Sequence, residues 1–153
     1  MHTRTVLLIA LANLLAACAS PDTRMESGSM IVVPIEAARF VPANPASPNG
    51  AQVAILSGDP DSGPSTMLMR LKKGGGTPHI HSSDYQLVVL QGTMKHLGKG
   101  ELAANGRPLD PGSYWLQPGG QTHADVCLTE ECLMFIVWAG KRDGRLATEG
   151  DLR

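Results

Sequence analysis

The apolar positions of this chain fall in short runs, alternating with polar residues or broken by glycine and proline, and no long segment repeats them at helical spacing. That pattern predicts strands joined by turns. Strands are expected at about 51–56, 66–71, 78–81, 85–91, 93–97, 109–116, 124–128 and 132–139. Asn105-Gly106 is a hairpin signal. Met30 to Ile35 is expected to add an edge strand, its pairing limited by Pro34. Pro42, Pro45 and Pro48 mark residues 41–50 as a surface loop. No internal repeat and no second domain is visible. Short strands that bury a single core suit an all-β jelly-roll barrel.

The N-terminus departs from this pattern. Val6 to Leu15 is apolar except for Asn13 and follows Arg4. A spanning helix needs about twenty apolar residues, so this stretch reads as a processing segment. Leu15-Ala16-Ala17-Cys18 resembles the lipobox of bacterial lipoproteins. The resemblance implies a signal peptide over 1–17, lipidation at Cys18, a flexible tether over 18–30 and a folded domain over 31–153. It also implies a lipid anchor on the periplasmic side of a bacterial membrane, and Ala19 in place of aspartate implies the outer membrane.

Thirteen Lys and Arg against fourteen Asp and Glu give a formal charge of −1. Loss of residues 1–17 would remove Arg4 and shift it to −2. No basic patch points to nucleic acid; Lys72-Lys73 and Lys141-Arg142 read as isolated solvated pairs. The expected partner is a small molecule.

Three histidines carry the candidate chemistry. His79 and His81 share one face of an extended strand, about 7 Å apart, and His123 follows a Pro118-Gly119-Gly120 turn. Three neutral imidazoles converging on one ion form a facial set with open positions for a ligand. His96 is a further candidate for the pocket or its surroundings, and Asp125 is placed to orient His123 or to bond backbone in a hairpin. Trp115, Trp138, Met67, Met69, Met94, Met134, Phe135 and Leu87 are expected to fill the barrel, some of them as pocket wall.

His79, His81 and Gly92, followed by Gly112, Pro118, Gly120 and His123, match two signature motifs, and on them the chain resembles the cupin superfamily over roughly residues 50–140. The wording around HSSDY and PGSYWLQPGG is most similar to bacterial cupins of unknown function related to the cupin half of ChrR anti-sigma factors. The resemblance implies a cupin jelly roll, or double-stranded β-helix, holding a divalent metal on His79, His81 and His123. Iron is the first expectation, with manganese, zinc, nickel or copper as the other ions. Homodimers are common in the superfamily, which implies a possible homodimer here.

Two positions depart from the motifs. Tyr85 stands where the ligand glutamate belongs, and Cys127 where asparagine is usual. A phenol, with an ordinary pKa near 10, stays protonated and ligates poorly, so the site would keep a net charge of about +2 and favour an anionic ligand. Three-histidine cupin sites resemble those of thiol and diketone-cleaving dioxygenases, which implies an iron-dependent oxidoreductase; a non-catalytic sensor is the alternative. Tyr85 is the candidate catalytic residue, donating a hydrogen bond to substrate, or else a core tyrosine bonded to backbone. Asp84 and Gln86 are lesser candidates for a fourth ligand, since alternation turns them away from the face of Tyr85.

Cys127 and Cys132 flank Leu128-Thr129-Glu130-Glu131. If Thr129-Glu130 forms a two-residue hairpin tip, the cysteines face each other and a cross-strand disulfide is permitted. With Cys18 lipidated, the remaining cysteine count is even.

Overall fold

One strand, β8 (His123–Trp138), organises the molecule. Both of its flanks are occupied along most of its length, and every pairing is antiparallel. On one side runs β3 (Ser65–Gly75), from Ser65 opposite Trp138 to Gly75 opposite Val126. On the other side β5 (Tyr85–Gln91) covers the second half of β8, and β6 (Met94–Gly98) covers the first half. The structure, a computed structural model, describes residues 30–153. The expected signal peptide, Cys18 and almost all of the tether lie outside the described residues.

The remaining strands complete a curled nine-stranded antiparallel sheet. β1 (Val41–Pro42) and β2 (Gln52–Gly58) extend it beyond β3; β4 (His79–Ile80) lies between β8 and β9 (Arg145–Leu146); β7 (Tyr114–Gln117) pairs with β5. A four-residue helix, α1 (Glu149–Leu152), closes the chain. Thr148 N and Oγ1 both donate to Asp151 Oδ2, and Asp151 N donates back to the Thr148 carbonyl.

Alternation drives the burial. Along Cys132–Trp138 the residues Cys132, Met134, Ile136 and Trp138 are buried, while Leu133, Phe135 and Val137 are half-buried on the opposite face. The inward set joins Val53, Met67, Leu87, Val89, Met94 and Trp115 in one core. Phe135, expected among the barrel fillers, therefore stands on the outer face, because it alternates with Met134.

Several local expectations are corrected. Met30 to Ile35 forms no strand; Ile35–Ala37 is a 3-10 turn, and the edge strand is β1, inside the expected proline loop. Of the strand expected over 109–116 only Tyr114–Gln117 forms, Leu109 keeping a lone bridge to Met94. Asn105-Gly106 lies in a local turn in which both amides donate to the Leu102 carbonyl, rather than at a hairpin tip.

Cys127 and Cys132 are not the arms of a hairpin either. Between the pairs Lys72↔Glu131 and Gly74↔Cys127, β3 advances two residues while β8 advances four, so the intervening residues bulge out of a continuous strand. A disulfide joins Cys127 to Cys132 across that bulge, with Cα atoms 5.9 Å apart. Gly92 carries the chain from β5 to β6 over the same bulge at φ +80°, and a Cβ there would lie 2.5 Å from the Glu131 carbonyl oxygen. Only glycine meets both demands.

Candidate metal centre

His79 and His123 are directly paired residues of β4 and β8, so their rings stand on one face with centroids 4.3 Å apart. His81 follows β4 by one residue. Its carbonyl accepts a hydrogen bond of 2.8 Å from Gly120 N, and Asp84 Oδ1 accepts one of 2.7 Å from Gly119 N. A Cβ on Gly119 would lie 2.4 Å from the Ser82 carbonyl oxygen. The glycine turn before His123 is thus packed onto the segment after His81, and that contact brings the two motifs together.

Each imidazole is fixed by a main-chain carbonyl. His79 Nδ1 donates to Thr77 O at 2.9 Å, His123 Nδ1 donates to Gln121 O at 3.2 Å, and His81 Nδ1 donates to Asp143 O. A carbonyl only accepts, so all three rings carry the proton on Nδ1 and leave Nε2 unprotonated. One ligand atom from each ring lies within 4.8 Å of the others. Backbone carbonyls orient metal-binding histidines in just this way. The donor set therefore fits a divalent ion of borderline softness.

Burial keeps the rings neutral. His123 is 1% exposed, and burial pushes its pKa down to about 4, against the opposing charge of Asp125. His81 is also lowered, first by burial, the bond to Asp143 working the other way. A neutral imidazole is the form that binds metal.

Tyr85 is buried, and its hydroxyl lies 3.2 Å from His123 Nε2. It donates to that nitrogen rather than to a backbone group. Burial raises its pKa far above the phenolic value, so it stays a neutral donor beside the three ligand atoms. Its ring packs on Trp138 at 4.8 Å, and Trp138 in turn meets His81 edge-on at 4.8 Å.

His96 and Asp125 take other roles than the pocket ligand and the backbone-bonded turn residue. His96 Nδ1 lies 2.8 Å from Asp125 Oδ1 and Nε2 lies 3.0 Å from Gln117 Oε1, with the ring stacked on Trp115. Both nitrogens face these partners, so His96 holds Asp125 and is not among the three residues whose ligand atoms converge. Asp125 Oδ2 stands 4.0 Å from His123 Nε2, while Gln121 does the orienting on the other ring nitrogen. Asp84 holds the glycine turn and Gln86 accepts from Tyr114 on the exposed face, which removes both from the centre.

Two functional positions had no signal in the sequence. Asp143, sixty-two residues from His81, fixes that ring with its carbonyl, and its carboxylate accepts from Ser82 N and Oγ at 2.8 and 2.7 Å. Arg142, expected to be solvated with Lys141, is half-buried and lines the cavity in front of the histidines. That cavity measures about 580 Å³. Its inner wall is apolar, formed by Met69, Leu71, Leu87, Met134, Ile136 and Trp138, so several expected core residues serve as pocket wall. Lys72, Lys73 and Arg142 face it against a single carboxylate, Asp125.

The solved structures similar to this chain share its fold. KdgF from Halomonas sp. is 26% identical with a TM-score of 0.59, covering 76% of this chain and 97% of its own. An RmlC-like cupin from Ralstonia eutropha JMP134 is 16% identical with a TM-score of 0.61, covering 78% and 73%. The polyketide cyclase RemF from Streptomyces resistomycificus is 18% identical with a TM-score of 0.63, covering 81% and 90%. Among curated proteins none matches the chain. The fold is the cupin jelly roll. Residues 32–147 match the family described as "Domain of unknown function (DUF4437)", and the chain belongs to that family.

Proposed function

We propose that the protein is a mononuclear metal-dependent cupin enzyme, dioxygenase-like, acting on a small anionic molecule. One observation carries the reading: three backbone carbonyls hold three imidazoles by Nδ1, directing unprotonated Nε2 atoms to one place beside a cavity. His79, His81 and His123 would hold the ion. Iron there would supply Lewis acidity and redox chemistry. Tyr85 would donate a hydrogen bond to the bound ligand with an ion on His123 Nε2. The apolar wall would exclude water, and the cations around the cavity would attract an anion.

The fold by itself does not choose the reaction, since similar cupins include a polyketide cyclase and DMSP lyases. The resemblance of HSSDY and PGSYWLQPGG to the cupin half of ChrR anti-sigma factors supports a second reading, a sensor that binds metal without turnover. The lipobox at Leu15–Cys18 supports a lipid-anchored protein at the periplasmic face of the outer membrane.

Elemental analysis of the full chain, purified without chelator, tests the centre. About one iron per chain in the wild type and none in His79→Ala/His123→Ala is the expected result. Oxygen uptake with small enolates and thiols then separates enzyme from sensor. Equal metal in both proteins overturns the assignment.

A further inference from the structure

Arg142 is the half-buried cation of the cavity, and its hydrogen bonding is incomplete. Its Nε is buried and has no hydrogen-bond partner among the described residues. Its one side-chain bond is a long contact of 3.5 Å from Nη1 to the Ala43 carbonyl. None of the ion pairs among the described residues involves it. A guanidinium carries five donors in a planar fork, and partly burying it without acceptors is unfavourable.

The position is fixed. Arg142 N donates to Pro60 O at 2.7 Å, and the next residue, Asp143, is tied to His81 and Ser82. Gly144 presses against the His81 ring, where an added Cβ would lie 3.2 Å from it. The segment 142–144 therefore holds Arg142 on the cavity that His79 and His81 also line. Facing the same space are the apolar side chains of Met69, Leu71, Leu87, Met134, Ile136 and Trp138, and Asn44, Ser47, Asn49 and Thr77 line other parts of it.

We infer that the cavity takes an amphipathic monocarboxylate, its carboxylate on the Arg142 fork at the histidine end and its apolar body along the methionine and leucine wall. The fork matches a planar carboxylate through two parallel N–H···O bonds, which an ammonium or a neutral donor does not reproduce. The inference rests on the reading of this cavity as a small-anion site and names the class of anion. It needs no bound metal, because Arg142 is a protein-supplied charge.

Calorimetric titration of the full-length protein in lipid nanodiscs, after chelation and again after iron loading, tests it. The probes are phenylacetate, its neutral isostere phenylacetamide, and glucuronate as a carboxylate with a polar body. Phenylacetate is expected to bind about ten- to a hundredfold more tightly than phenylacetamide, as a charge-assisted bond predicts. Glucuronate is expected to bind more weakly than phenylacetate. Arg142→Gln should abolish the preference for the acid while metal stoichiometry stays at the wild-type value, and Arg142→Lys should keep only part of it. Equal binding of acid and amide, a preference that survives Arg142→Gln, or tighter binding of glucuronate overturns the inference. Should Arg142→Gln not fold, the acid-to-amide ratio in the wild type and its fall in Arg142→Lys decide the matter alone. Loss of the metal reading would appear as no bound ion in the elemental analysis. Loss of this inference would appear in the chelated protein as equal binding of acid and amide, or as a preference that Arg142→Gln leaves intact.

Discussion

The Tyr85 hydroxyl donates to His123 Nε2, the atom that the Gln121 carbonyl leaves unprotonated. The tyrosine that replaces the motif glutamate thus sits at the centre without supplying an anionic ligand. It caps that nitrogen here, and an ion held there would displace it.

Tyr85→Phe should therefore leave metal stoichiometry unchanged. The lost bond should shift the stability of the metal-free protein by about 1 kcal/mol. Turnover or ligand affinity of the loaded protein should fall by more than tenfold if the hydroxyl touches the ligand. Elemental analysis, denaturant unfolding and ligand titration on the same preparation check the three parts. Loss of metal in Tyr85→Phe would make the phenol a ligand after all.

Acidification should destabilise the metal-free barrel. His81 and His123 have folded pKa values lowered by burial, so the folded state resists the charged form. Stability from such a group is complete above the unfolded value near 6.5 and is lost as pH falls toward the folded value. For His123, pushed down to about 4, the loss is on the order of 3 kcal/mol across that window. Urea unfolding of chelated protein at pH 7.5 and pH 4.5 should show it, and His123→Ala should remove most of the difference.

The disulfide across the β8 bulge joins residues five apart in sequence. Closing so short a loop constrains the unfolded chain by only about 2 kcal/mol. Cys127→Ala/Cys132→Ala should lose roughly that much and still bind metal, because the bulge lies away from the histidine end of β8. Alkylation of the unreduced, unfolded protein followed by mass measurement should find neither cysteine labelled.

Gly92→Ala should cost more than an ordinary glycine substitution. It meets a left-handed backbone and a Cβ position 2.5 Å from the Glu131 carbonyl oxygen and from Thr129 Oγ1. Strain of this kind costs about 1–3 kcal/mol before the clash is counted. Thermal melts compared with Gly98→Ala, where an added Cβ meets nothing, isolate the effect.

Local chemistry determined much of this protein. Alternation in Tyr85–Gln91 and Cys132–Trp138 specifies which side chains face inward, and the His79-Ile80-His81 spacing puts two imidazoles on one face, because both follow from the two-residue period of an extended chain; His123 was legible only through its place after Pro118-Gly119-Gly120 in the second motif. Only the tertiary structure decided the rest. A break at Leu128–Glu131 looks like a hairpin in sequence, yet neighbours on both flanks hold β8 in one line and turn the extra residues into a bulge. Arg142 looks solvated beside Lys141, yet the folding of residues 142–144 against His81 makes it a cavity cation and its neighbour Asp143 the anchor of a ring. Contacts between residues some sixty positions apart leave no periodic trace in a sequence, since they depend on which strands meet.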